Sequence, residues 1–227
     1  MRITLCVVAC LFATALFPPG HLAGTQEPAA PTVGWYNGDW QSGIPGLLNW
    51  YVSKREFARV YDDFVVPDGG WTVVGVFSNN VLYHFPDVTQ ASWEIRRAMA
   101  YGKAGKLVAS GLDSAVQRPA SNNRLPEGVH VRIEVDGLHV PLTPGRYWLS
   151  VTPLGRGHSY ICATRGRNAS GNPPGNNGWA LFDVQPGPRR FRETLDAAAG
   201  EVGIGIDFSQ GVIISPVQPV PVPSPGR

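Results

Sequence analysis

Carboxylates are the side chains of this sequence best suited to chemistry. Asp62 and Asp63 are adjacent within an apolar stretch. Neighbouring residues of a β-strand point to opposite faces, so the two cannot act together on one substrate, and one of them must approach the core. A carboxylate there needs backbone N–H groups, an arginine or a metal ion as its partner. A carboxylate bonded to a turn is the simplest interpretation, and the alternative is a Ca²⁺ site formed by Asp63 with Asp68 or Asp207.

The five histidines offer little for metal binding, because no two of them have the spacing of metal ligands within one element. His130 and His139 could still meet if their strands formed a hairpin about Asp136-Gly137, although solvent-facing histidines are the simpler interpretation. The sequence also contains no nucleophile elbow, no His-Glu-x-x-His motif, no phosphate-binding glycine loop and no paired cysteines. We therefore assign no catalytic residue from the sequence.

Aromatic residues are a stronger functional lead, since the chain has seven tryptophans. Exposed rings stack on the apolar faces of sugars, and tyrosine and tryptophan also anchor protein interfaces. An alternative is that the rings cover one open end of the fold. The candidate ligand-binding residues lie in the least strand-like part of the chain and are Trp35, Tyr36, Trp40, Trp50 and Tyr51.

The elements that must position these residues are β-strands. Glycine (27) and proline (21) account for 48 of the 227 residues, which excludes a helix bundle, and 43% hydrophobic residues exclude a disordered chain. Runs rich in Val, Ile, Phe, Tyr and Trp end at Gly, Pro, Asn or Asp, as strands do at turns. We predict an all-β fold, an antiparallel β-sandwich of jelly-roll type, with a closed barrel as the alternative. About nine strands are expected, at residues 59–66, 71–78, 92–100, 107–110, 130–135, 146–152, 159–164, 179–184 and 203–208.

The beginning of the chain predicts export. A charged start, an apolar run from Ile3 to Phe17 and the helix breakers that follow are typical of a signal peptide over residues 1–24. Lipid attachment at Cys10 is an alternative. The apolar run is too short for a membrane anchor, so we expect a secreted protein, extracellular or periplasmic, with no transmembrane anchor. After the signal peptide we expect a linker at residues 25–33, the sandwich domain at 34–210 and a proline-rich disordered tail at 211–227.

Cysteine content bears on disulfide bonding, and charge bears on the class of binding partner. Without the leader only Cys162 remains, so we expect no disulfide and a buried thiol. The formal net charge is only +2, and the arginines are scattered in pairs without a basic stripe. This pattern argues against nucleic acid as a partner and favours solvated arginines. Residues 166–177 are rich in turn formers; they could line a polar site, but an ordered surface connection is the simpler interpretation.

Three segments together resemble a known group of proteins. They are DDFVVP at 62–67 leading into GWTV at 70–73, LTPGRYWLSVTP at 142–153, and NPPGNNGW at 172–179. They are similar to uncharacterised secreted bacterial β-sandwich proteins that often carry interchangeable C-terminal anchors such as the Pro-Glu-Pro sorting signal. The likeness spans residues 59–184 and implies strands and turns but no activity. Because the chain ends at Arg227 without a sorting helix, we expect release or periplasmic retention.

The function we expect is that of a secreted, non-enzymatic binding or surface module. Its partner would be a glycan, bound through exposed aromatic rings, or an extracellular matrix or surface protein. No cofactor is expected apart from the Ca²⁺ considered above. The alternative is a hydrolase or lyase acting on polysaccharide, which requires two carboxylates, or a carboxylate and a histidine, about 5–10 Å apart in a groove. A purely structural protein would have neither a groove nor an exposed aromatic cluster.

Overall fold

The fold was obtained as a computed structural model, which describes residues 30–41, 46–85, 87–125, 128–173, 177–187, 191–193 and 207–215. Every regular element in these ranges is a β-strand. Two large antiparallel sheets pack against each other, which confirms the predicted all-β sandwich. The described ranges contain sixteen strands instead of about nine, because four of them have only two residues and others, such as those at 116–125 and 210–215, lie where no strand was expected.

The strands of the first sheet are β1 (Thr32–Tyr36), β2 (Leu47–Leu48), β5 (Trp71–Tyr83), β8 (Val116–Leu125), β9 (Gly128–Leu142), β11 (His158–Ile161) and β16 (Gln210–Ser215). This sheet is centred on β5. Strand β9 pairs along one edge of β5, while β16 and β11 share its other edge. Strands β8, β1 and β2 lie outside β9, β16 and β11 respectively.

The strands of the second sheet are β3 (Trp50–Ser53), β4 (Glu56–Val66), β6 (Gln90–Arg97), β7 (Lys106–Ser114), β10 (Gly145–Pro153), β13 (Leu181–Gln185) and β14 (Arg192–Glu193). This sheet has the order β14-β13-β4-β10-β6-β7, and β3 also pairs with β4. A separate pair is formed by β12 (Ala163–Thr164) and β15 (Asp207–Phe208).

The core lies between the sheets and contains apolar and polar layers. Large apolar side chains such as Phe64 and Leu149 are fully buried there. Polar side chains also cross the interior: Asn49 Nδ2 donates to the Val151 carbonyl at 2.9 Å, and Gln210 Nε2 donates to the Leu149 carbonyl at 3.1 Å. Because Gln210 belongs to the first sheet and Leu149 to the second, this bond ties the two sheets together. Cys162 is buried with a free thiol, as predicted.

The hairpin about Asp136-Gly137 that would let His130 and His139 meet is not formed. Strand β9 continues through these residues, and the register with β5 shifts where Asp136 pairs with Gly75 and Val140 with Val73. Gly137, with φ of 73°, supports this irregularity instead of ending the strand. His130 and His139 therefore lie nine residues apart on one strand, about 30 Å along the chain, and cannot share a zinc ion. His130 is also buried and not solvent-facing.

The sandwich extends beyond the predicted limits of 34–210. It begins with β1 at Thr32, and residues 211–215 belong to β16, which lies between β1 and β5. The first part of the predicted tail is therefore a central strand, held in place by the fully buried Val212. The predicted signal peptide, residues 216–227 and most of the predicted strand 203–208 lie outside the described residues. Within the described ranges, no helix has the length and apolarity needed to span a membrane.

Candidate functional site

The outer face of the second sheet carries polar side chains that could contact a ligand. This face includes alternate side chains of β4, because successive residues of a strand point to opposite faces of the sheet. Ala58, Val60 and Phe64 point into the core, whereas Arg59 and Tyr61 point to the opposite face. Two concave regions open on this outer face, a polar groove of about 390 Å³ and an aromatic cleft of about 420 Å³. Both volumes fall in the range of pockets for small ligands.

Glu94 on β6 is the centre of the polar groove. Its carboxylate accepts hydrogen bonds from Arg59 Nη1, from the Tyr61 hydroxyl at 2.8 Å and from Arg96 Nε at 2.6 Å. Arg59 also donates from Nη2 to Ser92 Oγ at 2.7 Å. Burial raises the pKa of the Tyr61 hydroxyl, so this group remains a donor to the carboxylate at neutral pH. The network fixes several charged groups in one arrangement.

Aromatic rings support this network from one side. The guanidinium carbon of Arg59 lies 5.0 Å from the centre of the Tyr51 ring and 4.8 Å from that of Phe57. Such contacts stabilise a cation that has lost part of its hydration. Because Arg59 packs on these rings, Tyr51 is almost fully buried and contributes little ring surface to a ligand.

The aromatic cleft lies further along the same face. Trp179 is 58% exposed and Tyr101 is 53% exposed, and both line the cleft with the nearly buried Trp148. The guanidinium carbon of Arg146 lies 4.7 Å from the centre of the Trp179 ring. This contact orients the indole at the edge of the cleft.

Two buried carboxylates hold the chain segment that carries Trp179. Asp207 accepts hydrogen bonds from the backbone N–H groups of Asn177 and of Gly178, the latter at 2.9 Å. Asp63 accepts from Asn177 Nδ2 at 2.8 Å and pairs with Arg146. Residues 177–179 are thus fixed by acceptors on β4 and β15.

Asp62 points into the interior, as the alternation predicted for one of the two adjacent aspartates. It accepts hydrogen bonds from Asn37 Nδ2 at 2.7 Å and from the backbone N–H of Phe208 at 2.8 Å. Asp63, on the other face of β4, is nevertheless fully buried as well. Burial, with Asp207 nearby, raises the pKa of Asp62 well above its usual range. Burial also raises the pKa of Asp207, to about 6.

The structure brings together two of the three residues of the predicted Ca²⁺ site. Asn177 bridges Asp63 and Asp207, whereas Asp68 is exposed in the turn after β4, about 16 Å along the chain from Asp63. In the described ranges, no group of three or more His, Cys, Asp or Glu residues is arranged to hold a metal ion. The oxygens of Asp63 and Asp207 accept N–H donors, which matches the simpler interpretation of carboxylates bonded to a turn. Ca²⁺ binding stays a prediction.

We expect these raised pKa values to make the protein less stable as the pH rises. A carboxyl group with a folded-state pKa above its unfolded value binds more protons when the protein is folded. Its contribution to stability is therefore present in acid and is lost as the pH rises through the folded-state pKa. For Asp207 the expected loss between pH 5 and pH 8 is about 1–2 kcal/mol. Urea unfolding at both pH values should show this loss in the wild type relative to Asp207→Asn.

The control is Asp68→Asn, which removes an exposed carboxylate from the turn after β4. This variant should keep the pH dependence of the wild type. An Asp207→Asn protein with the same pH dependence as the wild type would contradict the assignment.

The five predicted aromatic residues do not form one platform. Trp35 is fully buried and stacks on Phe64 at 5.4 Å, so it belongs to the core and is not available to a ligand. Tyr36 and Trp40 lie on the outer face of the first sheet, where the Trp40 ring is 4.9 Å from that of His130. Trp50 is half-buried on β3 in the second sheet, and Tyr51 beside it lines the polar groove.

Sequence reasoning missed the main residues of both concave regions. Arg96 was expected to be solvated, but its side chain is only 15% exposed because it pairs with Glu94. The alternation of polar and apolar residues along β4 and β6 indicates that Arg59, Glu94 and Arg96 all point away from the core. The sequence predicts a strand that begins at Trp179, whereas this residue precedes β13 and is exposed.

Known proteins add nothing to this description. Comparison of the chain with models of protein families, with curated proteins and with solved structures gave no match.

Proposed function

We propose that this protein is a secreted, non-enzymatic binding module for glycans, with the outer face of the second sheet as its binding surface. The observation that carries the proposal is the aromatic cleft, where the exposed rings of Trp179 and Tyr101 lie at its edges beside Trp148. Exposed large rings that are grouped in one patch often mark a binding site, whereas a single exposed ring is common. The proposed aromatic binding surface is therefore formed by Trp179 and Tyr101, and not by Trp35 and its neighbours as the sequence predicted.

Sugars match this cleft chemically. The apolar C–H faces of a pyranose ring pack on an indole or phenol ring, while its hydroxyls need hydrogen-bonding groups nearby. Arg146, which stacks on Trp179, and the charged side chains of the polar groove supply such groups. Aromatic rings combined with fixed polar groups favour a glycan over a purely apolar ligand.

Binding is favoured over hydrolysis by the state of the carboxylates. Glu94 is held by two arginines and a tyrosine, so it is poorly placed to donate a proton to a leaving group. Asp183, the other carboxylate lining the groove, lies on β13, with β4 and β10 between it and Glu94. Three strand spacings place the main chains of the two residues about 14 Å apart.

The proposal is tested with Trp179→Ala and Tyr101→Ala on a glycan microarray of neutral and acidic oligosaccharides. We expect each variant to lose at least about tenfold in affinity for the glycans that the wild type binds. Trp40→Ala is the matched control, because it removes an aromatic ring that packs beside His130 of the first sheet, and it should bind like the wild type. Retained binding in Trp179→Ala and Tyr101→Ala, or no glycan bound by the wild type, would reject the proposal.

A further inference from the structure

The polar groove lies directly beside the aromatic cleft on one sheet face. Leu181 lines the cleft and Asp183 lines the groove, and both belong to β13. Alternate residues of a strand point to the same face and are about 7 Å apart. One extended ligand could therefore contact the two concave regions at the same time.

Five charged side chains line the groove, and four of them compensate each other. Glu94 pairs with Arg59 and Arg96, and Asp183 is the direct partner of Arg59 in the register of β13 and β4. The fifth, Lys54, is exposed in the turn between β3 and β4, where solvent and salt screen its charge. Deeper in the groove, an anionic ligand would meet the two carboxylates and a cationic ligand the two arginines, so neither class is favoured there.

The same arrangement places hydrogen-bond donors beside acceptors. Guanidinium groups only donate and carboxylates only accept, whereas a hydroxyl group does both. Ser92 and Ser110 add hydroxyls to the lining of the groove. A ligand with neighbouring hydroxyls can therefore bond to both kinds of group without leaving a buried charge unpaired.

We infer that the polar groove is a second subsite for neutral, hydroxyl-bearing sugar residues of a chain long enough to occupy the cleft and the groove together. This inference rests on the proposed glycan-binding function and specifies its ligand as an extended, uncharged oligosaccharide. The aromatic cleft supplies the stacking contacts, and the groove supplies the polar contacts to residues further along the chain. Affinity should consequently increase with oligosaccharide length until both regions are filled.

Ser110→Trp tests the subsite by filling the groove. Ser110 is exposed on β7 and pairs with Glu94 in the register of β6 and β7, so an indole there would occupy the space next to Glu94. Ser114→Trp is the matched control, because Ser114 is an exposed serine on the same strand that does not line the groove. Both positions are exposed, so neither substitution should prevent folding.

Binding is measured by calorimetry with a neutral oligosaccharide series, from disaccharide to octasaccharide, of the type bound best on the microarray. We expect Ser110→Trp to lose at least about tenfold in affinity for the longest members and little for the shortest, with Ser114→Trp unchanged. The affinity of the wild type should change little between low and high salt, since the ligand is uncharged.

The possible failures of this test are distinguishable. If Ser110→Trp binds long chains as tightly as Ser114→Trp while Trp179→Ala loses binding, the second subsite is wrong and the proposed function stands. If the microarray shows binding only to uronate or sulfated glycans, the neutral ligand class is wrong. If Trp179→Ala binds like the wild type, the proposed function is wrong and the inference fails with it.

Discussion

Glu94→Ala is expected to lower the free energy of unfolding by about 2–4 kcal/mol, because it leaves Arg59 without its carboxylate in a nearly buried position. Loss of one partner of a buried ion pair costs more than the pair contributes, since the remaining charge stays desolvated. Tyr61 and Arg96 lose an acceptor in the same change. Urea unfolding of the variant should show a lower midpoint with a similar slope.

The control for this prediction is Glu56→Ala. Glu56 also forms a two-bond ion pair, with Arg156, but the Arg156 side chain is 74% exposed. Exposed pairs contribute little, so this variant should lose less than about 1 kcal/mol. The double variant Arg59→Met with Glu94→Leu removes both charges and should recover part of the lost stability. Equal effects of Glu94→Ala and Glu56→Ala would show that Glu94 is not held as the structure describes.

Trp35→Ala is expected to destabilise the fold by about 3–5 kcal/mol, the usual cost of removing a fully buried aromatic ring from a core. Trp35 lies on β1, at the margin of the first sheet, and its ring stacks on Phe64 of the second sheet. The substitution therefore opens a cavity between the sheets and weakens the attachment of β1. Thermal unfolding followed by circular dichroism should show a melting temperature several degrees lower.

Trp179→Ala is the matched control for this core substitution. It makes the same chemical change at a residue that is 58% exposed, and it should cost less than about 1 kcal/mol. The two variants thus separate stability from binding: Trp35→Ala mainly affects folding, whereas Trp179→Ala affects the proposed glycan binding. A Trp35→Ala protein as stable as the wild type would contradict the placement of Trp35 in the core.

Much of the fold was predictable because alternation is a local property. The run from Val129 to Val135 alternates aliphatic and polar residues, and Val131, Ile133 and Val135 are indeed buried in the core. The same period places Asp62 and Asp63 on opposite faces of β4, as predicted. The predicted end of the first strand at Val66 is also confirmed, because the turn residues Pro67-Asp68-Gly69-Gly70 follow β4.

The position of β16 was not predictable from its own composition. Its residues precede a proline-rich segment, so the sequence favoured a disordered tail from residue 211. Pairing with β1 on one side and β5 on the other makes the segment a central strand. These partners are about 130 or more residues away in sequence, and no local pattern specifies which distant strands will pair.

The sequence alone determines the β-strands, their turns and the side of each strand on which a residue lies. It also indicates a core without disulfides, and Cys162 is a free, buried cysteine among the described residues. These properties depend on neighbours within a few positions. The tertiary structure decides that Glu94 meets Arg59, that Asp207 and Asp63 share Asn177, and that Trp35 is buried while Trp179 is exposed. Such contacts depend on the order in which distant strands pair and on how the two sheets pack, and alternation along one strand contains no information about either.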